Sequence, residues 1–224
     1  MKPEQLITEQ IYDYRKEHKA GYQSWNKNAI SIVYTGVEAT ATVEVTANSL
    51  VLRAPAATVV RTIDLTAGAT DALAEVVADI NTYNTGFAAI LGDQFDGTEA
   101  SASLTIIAAT SVKTTAVWFV QDTNLQIKIT IPTVATGKKV TVTKVLGSIT
   151  GTGAGTFEFT KGSTLAWLET AGLTTVEKVS TITSLDSNVG EQLILRLKMA
   201  TTLTAGYLTV SYDEKQADAI PLFV

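Results

Sequence analysis

The sequence has no cysteine, one histidine, two methionines and four prolines among 224 residues. Without cysteine there is no disulfide framework, no thiol nucleophile and no thiolate metal site. The lone histidine, His18, falls in a predicted N-terminal helix, which leaves neither a histidine triad nor a multi-histidine metal site within one chain. No apolar run approaches the roughly 18 residues that a membrane span needs. The opening MKPEQLITEQIYDYRKEHKAGY lacks the apolar centre of a signal peptide. A soluble chain made in a cytoplasm, with no membrane partner, is the expectation.

Charge is scarce as well: Asp, Glu, Lys and Arg make up 17 % of the chain, against 46 % hydrophobic residues. The surface must therefore be covered largely by Thr, Ser, Asn and Gln. Threonine alone supplies 36 residues, and β-branched side chains favour strands. Such a weakly charged, β-rich surface suits a protein packed against neighbours. Net charge is −5 and the pI about 4.9, which argues against nucleic acid as a partner. Residues 1–28 carry five basic and four acidic groups, so the acidic excess lies in residues 29–224.

The periodicity divides the chain into three. Residues 3–20 read as a helix, with Pro3 in the first turn, Ile7, Ile11, Tyr14 and His18 at helical spacing, and Gly21 to end it. This gives a helical arm over 1–28. From Ala29 the period becomes two: AISIVYTG, ATATVEVTANSLVLRA and TVVRTIDL read as strands, with turns at Gly36 and Ala47-Asn48. DLTAGATDALAEVVADIN interrupts them. Leu73, Val76, Val77 and Ile80 make one apolar helical face, with Thr70 as the predicted N-cap and Asp71 in the first turn. GFAAIL and ASLTIIAAT return to strands, and TTAVWFVQ is a further strand candidate. The 29–123 segment thus predicts a small α+β domain, β-β-β-α-β-β, whose one helix covers one sheet face.

Over 124–224, LQIKITIPTV, KKVTVTKVLGSI, GTFEFTKG, EKVSTITSL, EQLILRLKMA and GYLTVSYDE are short alternating runs between turn residues, the pattern of a β-sandwich. STLAWLETAG reads as a short helix or turn, with Trp167 plugging the core. The chain closes on the apolar AIPLFV, read either as a core strand or as a tail added to a neighbour's sheet. The fold class expected is mainly β with one covering helix: a small α+β domain followed by a β-sandwich, preceded by an N-terminal helical arm.

Little in these segments suggests chemistry. GTGAG (151–155) is followed by a strand rather than the helix N-terminus that a phosphate loop requires, so it reads as a flexible hairpin loop. Asp93, Asp96 and Glu99, and Asp186, Asn188 and Glu191, are loop oxygens of the kind that bind calcium, but neither set has the EF-hand spacing. Solvated turns are the simpler reading. Glu158 and Glu169 are a conceivable carboxylate pair for glycoside hydrolysis, and Trp25, Trp118 and Trp167 a conceivable sugar platform. Neither pattern fixes a geometry. No catalytic residue, cofactor or metal is assigned, and the chain is not expected to be an enzyme.

One stretch is familiar. Tyr34-Thr35-Gly36, then Thr/Ala/Val-rich strands, Asp64-Leu65-Thr66, a helix bearing Leu73, Val77, Ile80 and Asn81, and a strand opening at Gly86-Phe87 resemble a module of tailed-bacteriophage structural proteins. The likeness covers about 60 residues, and the C-terminal half looks like the β-sandwich additions of virion proteins by composition. The resemblance implies a virion component, made in the host cytoplasm and bound to other virion subunits, as a homo-oligomer or on the capsid. An auxiliary or decoration capsid protein is the first expectation, a tail, neck or head-fibre component the alternative, and a glycan-binding surface module the second alternative. No catalytic residues come with it. The candidate subunit contacts are Ile7, Ile11, Tyr14 and Trp25 near the N-terminus, and Leu222, Phe223 and Val224 at the other end.

Overall fold

The computed structural model describes residues 17–83, 85–131, 138–161, 164–171, 178–180, 185–186 and 191–216. The fold is mainly β, with four antiparallel sheets and, apart from one 3-10 turn at Ser101–Ser103, a single helix among the described residues.

The chain forms two compact units. One is continuous, Asn26–Asn124; the other combines the residues before Asn26 with those from Leu125 onward. The α+β unit is therefore inserted into the β unit rather than placed between an arm and a sandwich. The cause is β1 (Glu17–Ser24), which pairs antiparallel with β16 (Thr202–Gln216) from Glu17↔Glu214 to Ser24↔Tyr207. Helical spacing misleads here: eight cross-strand pairs outweigh a weak local propensity. Gly21, expected to end a helix, lies inside β1, where a Cβ would come within 3.2 Å of Val210 and 3.3 Å of Ile129. Residues 1–16 of the expected arm lie outside the described residues.

The inserted unit runs β2 (Asn28–Tyr34), β3 (Thr42–Val45), β4 (Ser49–Arg53), β5 (Val59–Asp64), α1 (Leu73–Tyr83), β6 (Phe87–Leu91), β7 (Ile107–Ser111) and β8 (Val117–Val120). Two sheets form, β6-β2-β8 and β5-β4-β3-β7. Ile30, Ile32, Phe87 and Phe119 from the first, Val43, Val45, Leu50, Leu52 and Ile63 from the second, and Leu73, Val76 and Ile80 of α1 share one core. The expected helix is present, but the core is closed by two sheets and the helix together. Burying each of its three apolar side chains contributes about 1.5–3 kcal/mol.

Thr70 is not the cap of α1: its hydroxyl donates back to the carbonyl of Asp64. The cap position is Ala72, whose N–H donates to the Glu75 carboxylate at 3.1 Å and whose carbonyl accepts from Val76. The Glu99 and Gly97 carbonyls accept the next two N–H groups, of Leu73 and Ala74. A loop thus satisfies the helix donors that the sequence assigned to a side chain.

The other unit adds β9 (Gln126–Ile131), β10 (Lys138–Thr152), β11 (Gly155–Lys161), β12 (Thr164–Ala171), β13 (Lys178–Ser180), β14 (Leu185–Asp186) and β15 (Leu193–Met199). One sheet is β1-β16-β10-β13 with β14 also on β10; the other is β12-β11-β15-β9. Their facing residues, including Ile127, Ile129, Val142, Val145, Phe157, Phe159, Leu195, Leu197, Leu208 and Val210, form a single core, the sandwich arrangement. The stretch read as a short helix or turn is strand β12, paired along β11. GTGAG is not a hairpin loop within one sheet, because β10 and β11 belong to different sheets. Gly153 turns that corner at φ +94°, and a Cβ on Gly151 would collide with the Thr202 carbonyl.

Acidity is unevenly shared. The inserted unit holds four basic and ten acidic residues, so the acidic excess of the chain resides there.

Candidate functional site

The residues of the resemblance are drawn together by the fold, and their roles there are structural. The Tyr34 ring packs on Phe87 at 4.7 Å between centroids. The Lys113 ammonium lies 4.9 Å from the centre of the Tyr34 ring and donates to the Gly36 carbonyl. Thr35 N–H donates to the carbonyl of Gly86 at 2.9 Å. Gly86 adopts φ +87°, and a Cβ there would come within 2.7 Å of Tyr34 and 2.9 Å of Gly36 Cα. Both glycines are needed because the two backbones meet under an aromatic ring. Asp64 accepts the N–H of Thr66 at 2.9 Å and its hydroxyl at 2.7 Å. Those bonds, the hydroxyl's first, hold the Asp64 carboxyl below its ordinary value.

The chemical candidates do not assemble. Glu158 stands opposite Leu168, whereas Glu169 stands opposite the core residue Phe157. The two glutamates are thus not register partners of each other, and Glu158 pairs with Lys198 at 2.7 Å. In the loop after β6, the Glu99 carboxylate accepts the N–H groups of Asp96 and Gly97 at 2.9 and 2.7 Å. Among the described residues no group of three or more His, Cys, Asp or Glu gathers to hold a metal ion. Asn188 lies outside the described residues, and Asp186 pairs with Thr141 in β14. His18 lies in β1 opposite Asp213.

Of the candidate subunit contacts, Ile7, Ile11, Tyr14, Leu222, Phe223 and Val224 lie outside the described residues. Trp25 packs on the core of its own unit, and its main-chain N–H donates to the Gly206 carbonyl at 2.9 Å. Trp167 stands opposite Phe159 in β12.

Trp118 is different: it is 40 % exposed, on the face of β6-β2-β8 turned away from the core. Register places Ser31 of β2 between Ile90 of β6 and Trp118 of β8. Ile90 is 62 % exposed, and Ser31 between them is buried. This apolar row was not singled out from the sequence, yet a signal exists. FAAIL and VWFV place large apolar residues at outward positions, where a half-solvated strand alternates to polar ones.

No family model matches the chain, and no curated protein matches it. Among solved structures, it is similar to dimeric latent PorU from Porphyromonas gingivalis at 12 % identity and a TM-score of 0.28. That likeness covers 45 % of this chain and 12 % of the PorU chain, and it carries no argument about fold or function. No helix among the described residues is long and apolar enough to cross a membrane.

Proposed function

We propose that the chain is a structural subunit of a tailed-bacteriophage virion, an auxiliary or decoration protein that binds neighbouring capsid subunits. A tail, neck or head-fibre position is the alternative within the same reading. The observation that carries it is the outward apolar row of Ile90 and Trp118, a surface suited to burial against a partner. It is supported by the residues of the resemblance, whose contacts are all with the fold: Tyr34 with Phe87, Asp64 with Thr66. Nucleic acid is a poor partner for the inserted unit, whose four cations are all engaged within it: Lys27 by Asp122, Arg53 by Glu44, Arg61 by Asp79 and Lys113 by Gly36. Mass spectrometry of purified particles from the phage that encodes the chain tests the proposal. The protein is expected at stoichiometric copy number, and its absence from clean particles defeats the reading.

Partial exposure of Trp118 also favours the second reading, a glycan-binding module using that indole as a stacking platform. Titration against a glycan panel separates the two. Binding that disappears in Trp118→Ala supports the module, and flat titrations remove it.

A further inference from the structure

We propose that the outward face of the sheet containing β1 binds a neutral glycan, with the paired rings of Tyr22 and Tyr207 as the platform on which a sugar ring stacks. The site lies in the other unit from Ile90 and Trp118, and it does not depend on what covers that row.

Register fixes the face. Val145, Ile149, Leu208 and Val210 belong to the core, and successive residues of a strand point to opposite sides. Leu146 and Ser148 of β10 and Tyr207 and Thr209 of β16 therefore point outward. In β1, Gly21 faces the core, since a Cβ there would meet Val210 and Ile129, so Tyr22 and Ser24 point outward as well. Two rows result: Ser24, Tyr207 and Ser148, then Tyr22, Thr209 and Leu146.

Tyr22 and Tyr207 are diagonal neighbours across β1 and β16. Their rings lie 6.2 Å apart between centroids and 26° from parallel, an offset pair. Contact between the rings steadies the edge strand and still leaves Tyr22 65 % exposed.

The chemistry of the two rows selects the ligand. An aromatic ring offers an apolar, electron-rich face, to which the C–H face of a pyranose is complementary. Serine and threonine hydroxyls donate and accept, as sugar hydroxyls do, and Ser24, Ser148 and Thr209 supply them beside the rings. An apolar protein surface laid here would strip water from those hydroxyls without replacing its hydrogen bonds, a cost that a glycan avoids. Neither row holds a charged residue. Among the described residues, the nearest charge on this face is Lys144, opposite Ser211 in the next row. Neutral sugars therefore fit better than uronate or sulfated chains.

The test runs the full chain by affinity electrophoresis through gels containing soluble β-glucan, xylan, mannan, galactan or dextran, with polygalacturonate and heparin as charged controls. Retardation by at least one neutral polysaccharide is expected. Tyr22→Ala, at an exposed position, should weaken it about tenfold or more. Tyr22→Phe, which keeps the ring, and Trp118→Ala should stay within about twofold of the parent. Absence of retardation by every neutral polysaccharide overturns the proposal, as does retardation that Tyr22→Ala leaves intact or that Trp118→Ala abolishes. Self-association that Tyr22→Ala abolishes, without glycan binding, would assign the face to a second copy and equally overturn it. Should Tyr22→Ala fail to fold, oligosaccharides of the retarding polymer are titrated into the parent chain. The Tyr22 ring resonances should then shift by NMR, and unmoved resonances overturn the site.

Discussion

The side-chain amide of Asn81 stands in for a paired strand at Ala89. Its Nδ2 donates to the Ala89 carbonyl and its Oδ1 accepts the Ala89 N–H, both at 2.9 Å. Ala89 belongs to β6, an edge strand of the three-stranded sheet, so a residue of α1 both fastens helix to sheet and occupies main-chain groups that would otherwise be open. Open strand edges recruit further strands, and this one is blocked where it would pair. The face of the sheet, rather than this edge, carries the exposed apolar side chains of Ile90 and Trp118.

Asn81→Ala should therefore destabilise the inserted unit by about 1–3 kcal/mol, since two hydrogen bonds are lost and two main-chain groups are exposed. Asn81→Asp keeps the acceptor for the Ala89 N–H but sets an oxygen against the Ala89 carbonyl, so it too should destabilise the unit. Urea denaturation of the three proteins orders them, and equal midpoints would remove the role assigned to the amide.

Gly86→Ala should cost about 1–3 kcal/mol or more, because a left-handed backbone and a Cβ 2.7 Å from the Tyr34 ring act together. Gly68 is the control: a Cβ there meets nothing within 4 Å. Gly68→Ala should change stability by no more than about 1 kcal/mol and could raise it by restricting the unfolded chain. Thermal melts of both variants check the contrast.

These residues show how far the sequence could be read. Strand positions in both units follow from alternation, as in LILRLKM, where Leu193, Leu195, Leu197 and Met199 turn inward. The helix was legible from the spacing of Leu73, Val76 and Ile80. Its cap was not, because the acceptors are carbonyls of Gly97 and Glu99, and main-chain groups leave no signature in composition. Nor was the insertion legible. β1 owes its form to β16, at the far end of the chain, and local spacing around His18 carries no trace of that partner. The apolar row required knowing that Ile90 and Trp118 flank one residue of β2, a fact of register.

Arg61 of β5 holds Asp79 of α1 with two bonds, Nε to Oδ1 at 3.0 Å and Nη2 to Oδ2 at 2.6 Å, while stacking 3.7 Å over Tyr83. Asp79 raises the guanidinium pKa through that hydrogen bond, so Arg61 stays charged at every accessible pH. Partial exposure limits the worth of the pair to about 0.5–1 kcal/mol. Arg61→Lys should lose most of it by removing the fork, and about 1 M salt should narrow the gap between variant and parent. A gap indifferent to salt would place the effect in packing on Tyr83.

Asp64 and Asp122 should confer sensitivity to acid. Lys27 and then Thr105 hold the Asp122 carboxyl below its ordinary value of 3.8, as Thr66 does for Asp64. A depressed folded pKa contributes stability that is present above the ordinary value and lost as pH falls through the folded one. The melting temperature of the inserted unit should fall below about pH 4, and Asp122→Asn should flatten part of that decline. An unchanged profile in the variant would deny the Lys27 pairing its role.

The most direct measurement is incorporation into particles of the Ile90→Glu/Trp118→Glu double variant against the parent chain. Both side chains are exposed, so the variant should fold with a circular dichroism spectrum and melting temperature close to the parent's. The account predicts that parent protein is recovered in purified particles and that the folded variant is depleted from them at least tenfold. A folded variant incorporated as well as the parent would contradict it.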